Sequence, residues 1–229
     1  MKMLSILLQA TTENPVVQGE GEITMKFWEL AFKGGWIMVP LLVLSVIAIY
    51  IFMERFFALR SASKTDENFM NRIKEYVHDA KLDAAVTLCQ STDKPVARMV
   101  EKGVQRIGRP LSDINEAIEN VGKLEVYKLE KGLPALASIA GAAPMICFLG
   151  TVIGMIRAFY DMSMAGNNID VSLLSNGIYT AMVTTVAGLM IGIVAYLTYN
   201  YLVVKVEKVV FQLEATSSEF MDILNEPIH

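Results

Sequence analysis

Two long uncharged stretches, residues 133–156 and 171–204, constrain this chain more than any other feature. An apolar helix of about 20 residues crosses a bilayer core about 30 Å thick. The first stretch is long enough to do so. The second, at about 34 residues and 50 Å of helix, exceeds what a membrane requires. In lipid a backbone must satisfy its own N–H and C=O groups, so both stretches are held to helical structure. A third uncharged run, residues 36–53, is about 18 residues long and sits at the short end of the spanning range. Trp36 and Tyr50 suit its two interfaces, and Pro40 falls in its first turns, where it does least damage. The predicted fold class is therefore an all-α membrane protein. It has three transmembrane helices, the second and third extended far into the cytoplasm.

Composition narrows the function. The chain has 229 residues, 53% hydrophobic and 19% charged, with mean hydropathy +0.41, too apolar for an ordinary soluble domain. A net charge of −4 and a pI near 5.3 leave no basic footprint for nucleic acid. Cys89 lies in a polar segment and Cys147 in an apolar run, so no disulfide framework is expected. His78 and His229 are isolated, and neither a metal site nor a cofactor site is visible. No nucleophile–base pair or phosphate-cradling loop stands out, so enzymatic chemistry is not expected.

Residues 1–33 read as a periplasmic tail. Its apolar start, Met3 to Leu8, is shorter than the roughly 7–15 residues of a signal-peptide core. Residues 26–33, with Phe27, Trp28, Leu30 and Phe32, form either an interfacial helix or an extension of the next one. Residues 34–55 are transmembrane helix 1, closed by Glu54 and Arg55. Residues 56–112 are a cytoplasmic helical domain, with Thr65 a candidate N-cap and Pro95 at the first position of a helix through Ile107. Residues 113–161, capped by Ser112, read as one long helix that includes transmembrane helix 2. Gly132 and Pro134 are expected to kink it without ending it, giving about 48 residues and 70 Å. Residues 162–170 are a short periplasmic loop. Residues 171–225 are a long helix containing transmembrane helix 3 and a cytoplasmic extension. Lys and Arg crowd the segment from 55 to 131 and follow the third span, but are absent from 161 to 176. The positive-inside rule then places the large loop and the C-terminus in the cytoplasm and the N-terminus in the periplasm.

Within the spans, polar groups are the informative residues. Thr151 lies in the second, and Thr180, Thr184, Thr185 and Thr198 in the third. A threonine hydroxyl can relay a proton or hold a water, or it can simply bond the carbonyl four residues back. Thr151 and Thr185 stand out because each lies on a stripe of small residues at helical spacing. One stripe is Ala140, Ala143, Cys147, Thr151 and Gly154, the other Gly177, Ala181, Thr185, Gly188, Gly192 and Ala195, and Gly150 with Gly154 and Gly188 with Gly192 form small-xxx-small pairs. Such spacing lets helices pack closely, and it also gives a smooth lining for a partner helix. Pro144 removes one backbone hydrogen bond, leaving a passive kink or a hinge. Glu54, Arg157 and Asp161 sit at span ends, and Arg157 and Asp161 are spaced to pair. A titrating carboxylate in mid-span is missing. If protons pass through this protein, another subunit supplies that group.

The order of these residues resembles the MotA/TolQ/ExbB proton-channel family, with the ExbB type nearest. The resemblance is carried by Ala142-Ala143-Pro144, by Leu149-Gly150-Thr151-Val152-Ile153-Gly154, by Gly177-Ile178 and by Thr184-Thr185-Val186-Ala187-Gly188-Leu189. Tyr199-Asn200 and Glu54-Arg55 add to it. The resemblance implies a homopentamer in the bacterial inner membrane, surrounding a dimer of an ExbD/TolR-type single-span partner that brings the proton-carrying aspartate. It implies that Thr151 and Thr185 face that aspartate, with Thr184 and Thr180 nearby. It further implies use of the proton motive force, with TonB-dependent outer-membrane transport and a TonB-type partner expected first. TolQ-like envelope maintenance, a MotA-like motility stator and a non-conducting scaffold are the alternatives. This chain departs from its relatives at Tyr179 and Thr180, where ExbB and TolQ proteins often carry an acid, and it lacks a proline near Val194.

Overall fold

The computed structural model describes residues 35–63, 68–164 and 171–225, and these are helical, with no strand among them. The helices are α1 (Met38–Ala62), α2 (Phe69–His78), α3 (Leu82–Ser91), α4 (Pro95–Val104), α5 (Leu111–Glu130), α6 (Leu133–Met164) and α7 (Val171–Asn225). Three stretches of helix, in α1, α5–α6 and α7, are long and apolar enough to cross a membrane. Their outer faces carry exposed Val39, Leu42, Val46 and Ile49 on α1, Phe148 and Ile156 on α6, and Leu189 and Ile193 on α7. In water such a surface would be a liability; in lipid it is the solvated face. The interfacial helix expected at 26–33 and the Thr65 cap lie outside the described residues.

Three boundaries differ from the sequence expectation, each for a local reason. Helix α1 does not stop at Glu54-Arg55 but runs to Ala62. Arg55 is tolerated inside the bundle because its guanidinium donates to Glu54 Oε1 at 2.8 Å and to the Lys128 carbonyl at 2.9 Å. Ser112 is not the cap of α5; the helix starts at Leu111 behind Pro110, whose extended ψ of 140° sets the chain for entry. Most consequential, the long helix expected from 113 is broken. Helix α5 ends at Glu130, Lys131 is extended, and Gly132 has φ of +89°. A left-handed residue cannot continue a right-handed helix, and glycine takes that conformation without Cβ strain. Pro134 then falls in the first turn of α6, where its missing N–H costs little.

The core is continuous from the membrane level into the helical domain. Leu59 and Ala62 of α1, Ile73 of α2, Cys89 of α3 and Val100 of α4 share one buried core with Leu202, Val206, Val209, Leu213 and Phe220 of α7. Helix α7 is thus the spine, 55 residues long and about 82 Å at 1.5 Å per residue. Gly103 of α4 has no side chain because none would fit: a Cβ there would lie 2.5 Å from the Phe220 ring and 2.8 Å from Ile118. Beside it, buried Glu125 of α5 accepts from Arg98 at 2.6 Å and Lys128 at 2.7 Å, tying α4 to α5.

Candidate functional site

Helices α6 and α7 pack antiparallel, and their small-residue stripes face each other. A Cβ at Gly188 would meet Cys147 Sγ at 1.7 Å; one at Gly192 would meet Pro144 Cγ at 2.6 Å; one at Gly177 would meet Ala158 Cβ at 2.5 Å; and one at Gly154 would meet Ala181 Cβ at 3.3 Å. The glycines therefore hold this pair of helices together within one chain, rather than forming a free lining for a partner. Gly150 lies differently, against Ile37 at the start of α1, 3.0 Å from where its Cβ would be. Pro144 stays inside α6 without ending it. The Ala140 carbonyl, deprived of an N–H partner by Pro144, is turned toward Gly192, whose added Cβ would sit 3.2 Å from that oxygen. Glycine lets a carbonyl approach this closely, with its Cα–H as a weak donor.

Thr151 and Thr185 meet across this seam. Their hydroxyl oxygens are 2.5 Å apart. Thr151 Oγ1 is also 3.0 Å from the Cys147 carbonyl, and Thr185 Oγ1 is 3.1 Å from the Ala181 carbonyl. Each hydroxyl has one hydrogen and two lone pairs, so the pair has two self-consistent arrangements. In one, Thr151 donates to Thr185, which donates to Ala181. In the other, Thr185 donates to Thr151, which donates to Cys147. The back-bonding expected of membrane threonines and a contact between hydroxyls are therefore both present.

The four threonines do not form one cluster. Thr184 is buried and donates to the Ala181 carbonyl at 2.8 Å, sharing that acceptor with Thr185. Successive residues step about 100° around a helix. Thr184 accordingly sits on the edge nearest α1, beside Gly150 and Ile37, and the Thr151–Thr185 pair on the opposite edge of the seam. A cavity of about 340 Å³ opens on the α1 edge, lined by Trp36, Arg157, Asp161, Asn176, Thr180 and Thr184 among others. Thr180 thus belongs with the charged end of α6. Arg157 and Asp161 both line this space, but no ion pair joins them among the described residues. Thr198 bonds back to Val194 at 2.8 Å.

Two charged residues have structural roles that the sequence does not disclose, Arg55 as more than the end of a span and Glu125. Arg55 is nine-tenths buried and holds the C-terminal end of α5 through Lys128, where a cation also complements the helix dipole. Glu125 is the other. Burial pushes its carboxyl up, but hydrogen bonds and charge from Arg98 and Lys128 together outweigh this and hold it below the ordinary 4.5. The spacing of Glu125 and Lys128, three apart on one helix, is a readable signal; the approach of Arg98 from α4 is not. Cys89 offers no reactive thiol, since burial, with help from Glu101, raises its pKa to about 12.

Three long apolar helices, two of them locked by glycine around a pair of touching hydroxyls, define a polytopic membrane protein with a polar element built into its span. Comparison with known proteins narrows this class. The MotA/TolQ/ExbB proton channel family matches residues 91–215, an interval that contains all of α6, α7 as far as residue 215, and both threonines. The chain is 32% identical to the putative biopolymer transport protein ExbB-like 1 of Synechocystis sp., over 75% of this chain and 68% of that one. It is 26% identical to the putative ExbB homolog of Methanothermobacter thermautotrophicus, over 80% of this chain, and spans 65% of that relative's length. It is 25% identical to the Tol-Pal system protein TolQ of Pseudomonas aeruginosa, over 84% of this chain and 88% of that one. This protein belongs to the MotA/TolQ/ExbB proton channel family.

Proposed function

We propose that this chain is the ring subunit of an inner-membrane stator that turns the proton motive force into work at the cell envelope. The observation that carries the reading is the contact between Thr151 and Thr185 at the seam of two spans that hold no carboxylate of their own. A hydroxyl pair with two arrangements can accept a hydrogen bond from a protonated acid, or donate one to its anion, without titrating itself. It is suited to face a carboxylate on another helix. By family analogy that helix belongs to a dimer of an ExbD/TolR-type single-span partner, enclosed by a homopentamer of this chain. Each proton crossing about 100 mV releases about 2.3 kcal/mol, more than the average membrane side-chain hydrogen bond of about 0.6 kcal/mol, so one proton suffices to exchange such contacts. The charge bias supports a cytoplasmic helical domain and a periplasmic loop between α6 and α7.

Among the possible outputs, TonB-dependent outer-membrane transport is favoured by the ExbB-type relatives. A TolQ-like role in envelope maintenance is the second reading, favoured by the match to TolQ along most of that protein. The test is partner-dependent proton uptake in proteoliposomes. Thr151→Val and Thr185→Val, which keep shape and remove the hydroxyl, are expected to abolish uptake while the ring still assembles. Thr185→Ser should retain it. Full uptake by the double valine variant would overturn the proposal. Sequencing the single-span protein that co-purifies decides between the outputs.

A further inference from the structure

We propose that the groove between the end of α1 and the middle of α7 binds the headgroup of an anionic phospholipid, independently of how protons cross. Helices α1 and α7 run parallel here: Phe52 approaches Thr198, and Phe56 stacks on Tyr201 with ring centroids 6.3 Å apart and planes at 26°. Continuing that register places Arg60 beside Lys205. Both line a groove of about 290 Å³ with Phe56, Ser63, Tyr201 and Leu202. That volume is near the lower end for small-ligand clefts, about 300 Å³.

The level of this groove is what selects a lipid. Lys205 is the first charged residue after the uncharged run 171–204, and Arg60 is in the last turn of α1. Two cations from different helices thus meet between one and two turns beyond Glu54 and Arg55, the charges that close the α1 span, with side chains long enough to reach back to the headgroups. The groove is apolar and aromatic on the side toward the membrane and basic on the side toward water, the polarity of a phospholipid entering from its leaflet. Lys205 Nζ sits 5.5 Å from the Tyr201 ring centroid, so the ring orients the ammonium at the rim. Among the described residues no carboxylate lines the groove. Glu54 is engaged by Arg55, and Glu207, two residues beyond Lys205, falls on the far side of α7. A phosphodiester accepts hydrogen bonds from guanidinium, ammonium and hydroxyl donors together, and the groove supplies all three. Cationic residues near a bilayer surface favour anionic over zwitterionic lipids.

The experiment uses the full chain, delipidated in detergent and titrated with phosphatidylglycerol or with phosphatidylcholine of the same acyl chains, read by native mass spectrometry. Phosphatidylglycerol should bind preferentially. The preference should fall about 25-fold in Arg60→Gln/Lys205→Gln, about 5-fold for each charge removed. It should survive in Arg60→Lys/Lys205→Arg and in Lys208→Gln. The unmodified chain provides a second measurement: a phosphatidylglycerol bearing a photoreactive headgroup should label peptides containing residues 56–63 and 201–205. Equal retention of the two lipids, labelling elsewhere, or displacement by inorganic phosphate alone would overturn the proposal. So would crosslinking of Ser63→Cys to a second copy of the chain that shuts lipid out.

Discussion

A methyl group added at Gly188 would lie 1.7 Å from Cys147 Sγ, 2.7 Å from its Cβ and 3.0 Å from the Ala143 oxygen. Two of these atoms belong to a side chain and one to the backbone, so the helices must separate. Gly188→Ala is expected to destabilise the folded protein by about 1–3 kcal/mol, the usual range for overpacking. Equilibrium unfolding in mixed micelles measures this, and Cys147→Gly in the same chain should recover part of the loss. Glu125 gives the other prediction at this scale. Its folded pKa is below 4.5, so its contribution to stability is complete above about pH 4.5 and disappears as pH falls through the folded value. Glu125→Gln should lower stability at neutral pH by about 1.5–3 kcal/mol, as for hydrogen bonds to charged groups. It should also flatten the acid limb of a thermal-denaturation series. That Thr151 and Thr185 differ from the other span threonines was legible in the sequence, because both sit on stripes of fixed period; their contact with each other was not, because it depends on the register between the two helices. The clamp on Glu125 was not, because one of its cations comes from another helix and a charge run usually marks a solvated face.

Between α5 and α6 the chain stops being a helix for two residues, and α1 supplies what the break leaves open. Arg55 donates to the Lys128 carbonyl, and a Cβ at Gly132 would lie 3.3 Å from Ile51. Arg55→Leu removes the donor and leaves a carbonyl without its partner. Hydrogen exchange of amides near the end of α5 should speed up by about 5- to 150-fold, the equivalent of about 1–3 kcal/mol. Gly132→Ala should act at the same place through its positive φ. Helix existence along this stretch followed from apolar period alone. The break did not, because glycine followed closely by proline fits either a kink or a stop. The choice depends on whether a neighbouring helix can cap the freed carbonyls, and that is a property of the bundle.

One helix, α7, passes through both the apolar spans and the helical domain, and the core follows it without a gap from Ala195 to Ile223. Two glycines inserted after Val204 would let the two parts turn independently. Under the proposed function, proton uptake should persist in that variant while the energised output fails, a split read by measuring both in one strain. The three spans were legible from their uncharged lengths, whereas the packing of α2 and α4 on α7, with α3 held between them, required the structure, since short amphipathic helices carry no record of their partner. The interlocked seam between α6 and α7 has a mechanical consequence. A one-turn slip of about 5.4 Å would drive the Cβ atoms of one stripe into the backbone of the other, so these two helices share one rigid body. Whatever motion this protein performs, a pair of spin labels spanning the seam will stay silent, and the moving joint will be found outside it.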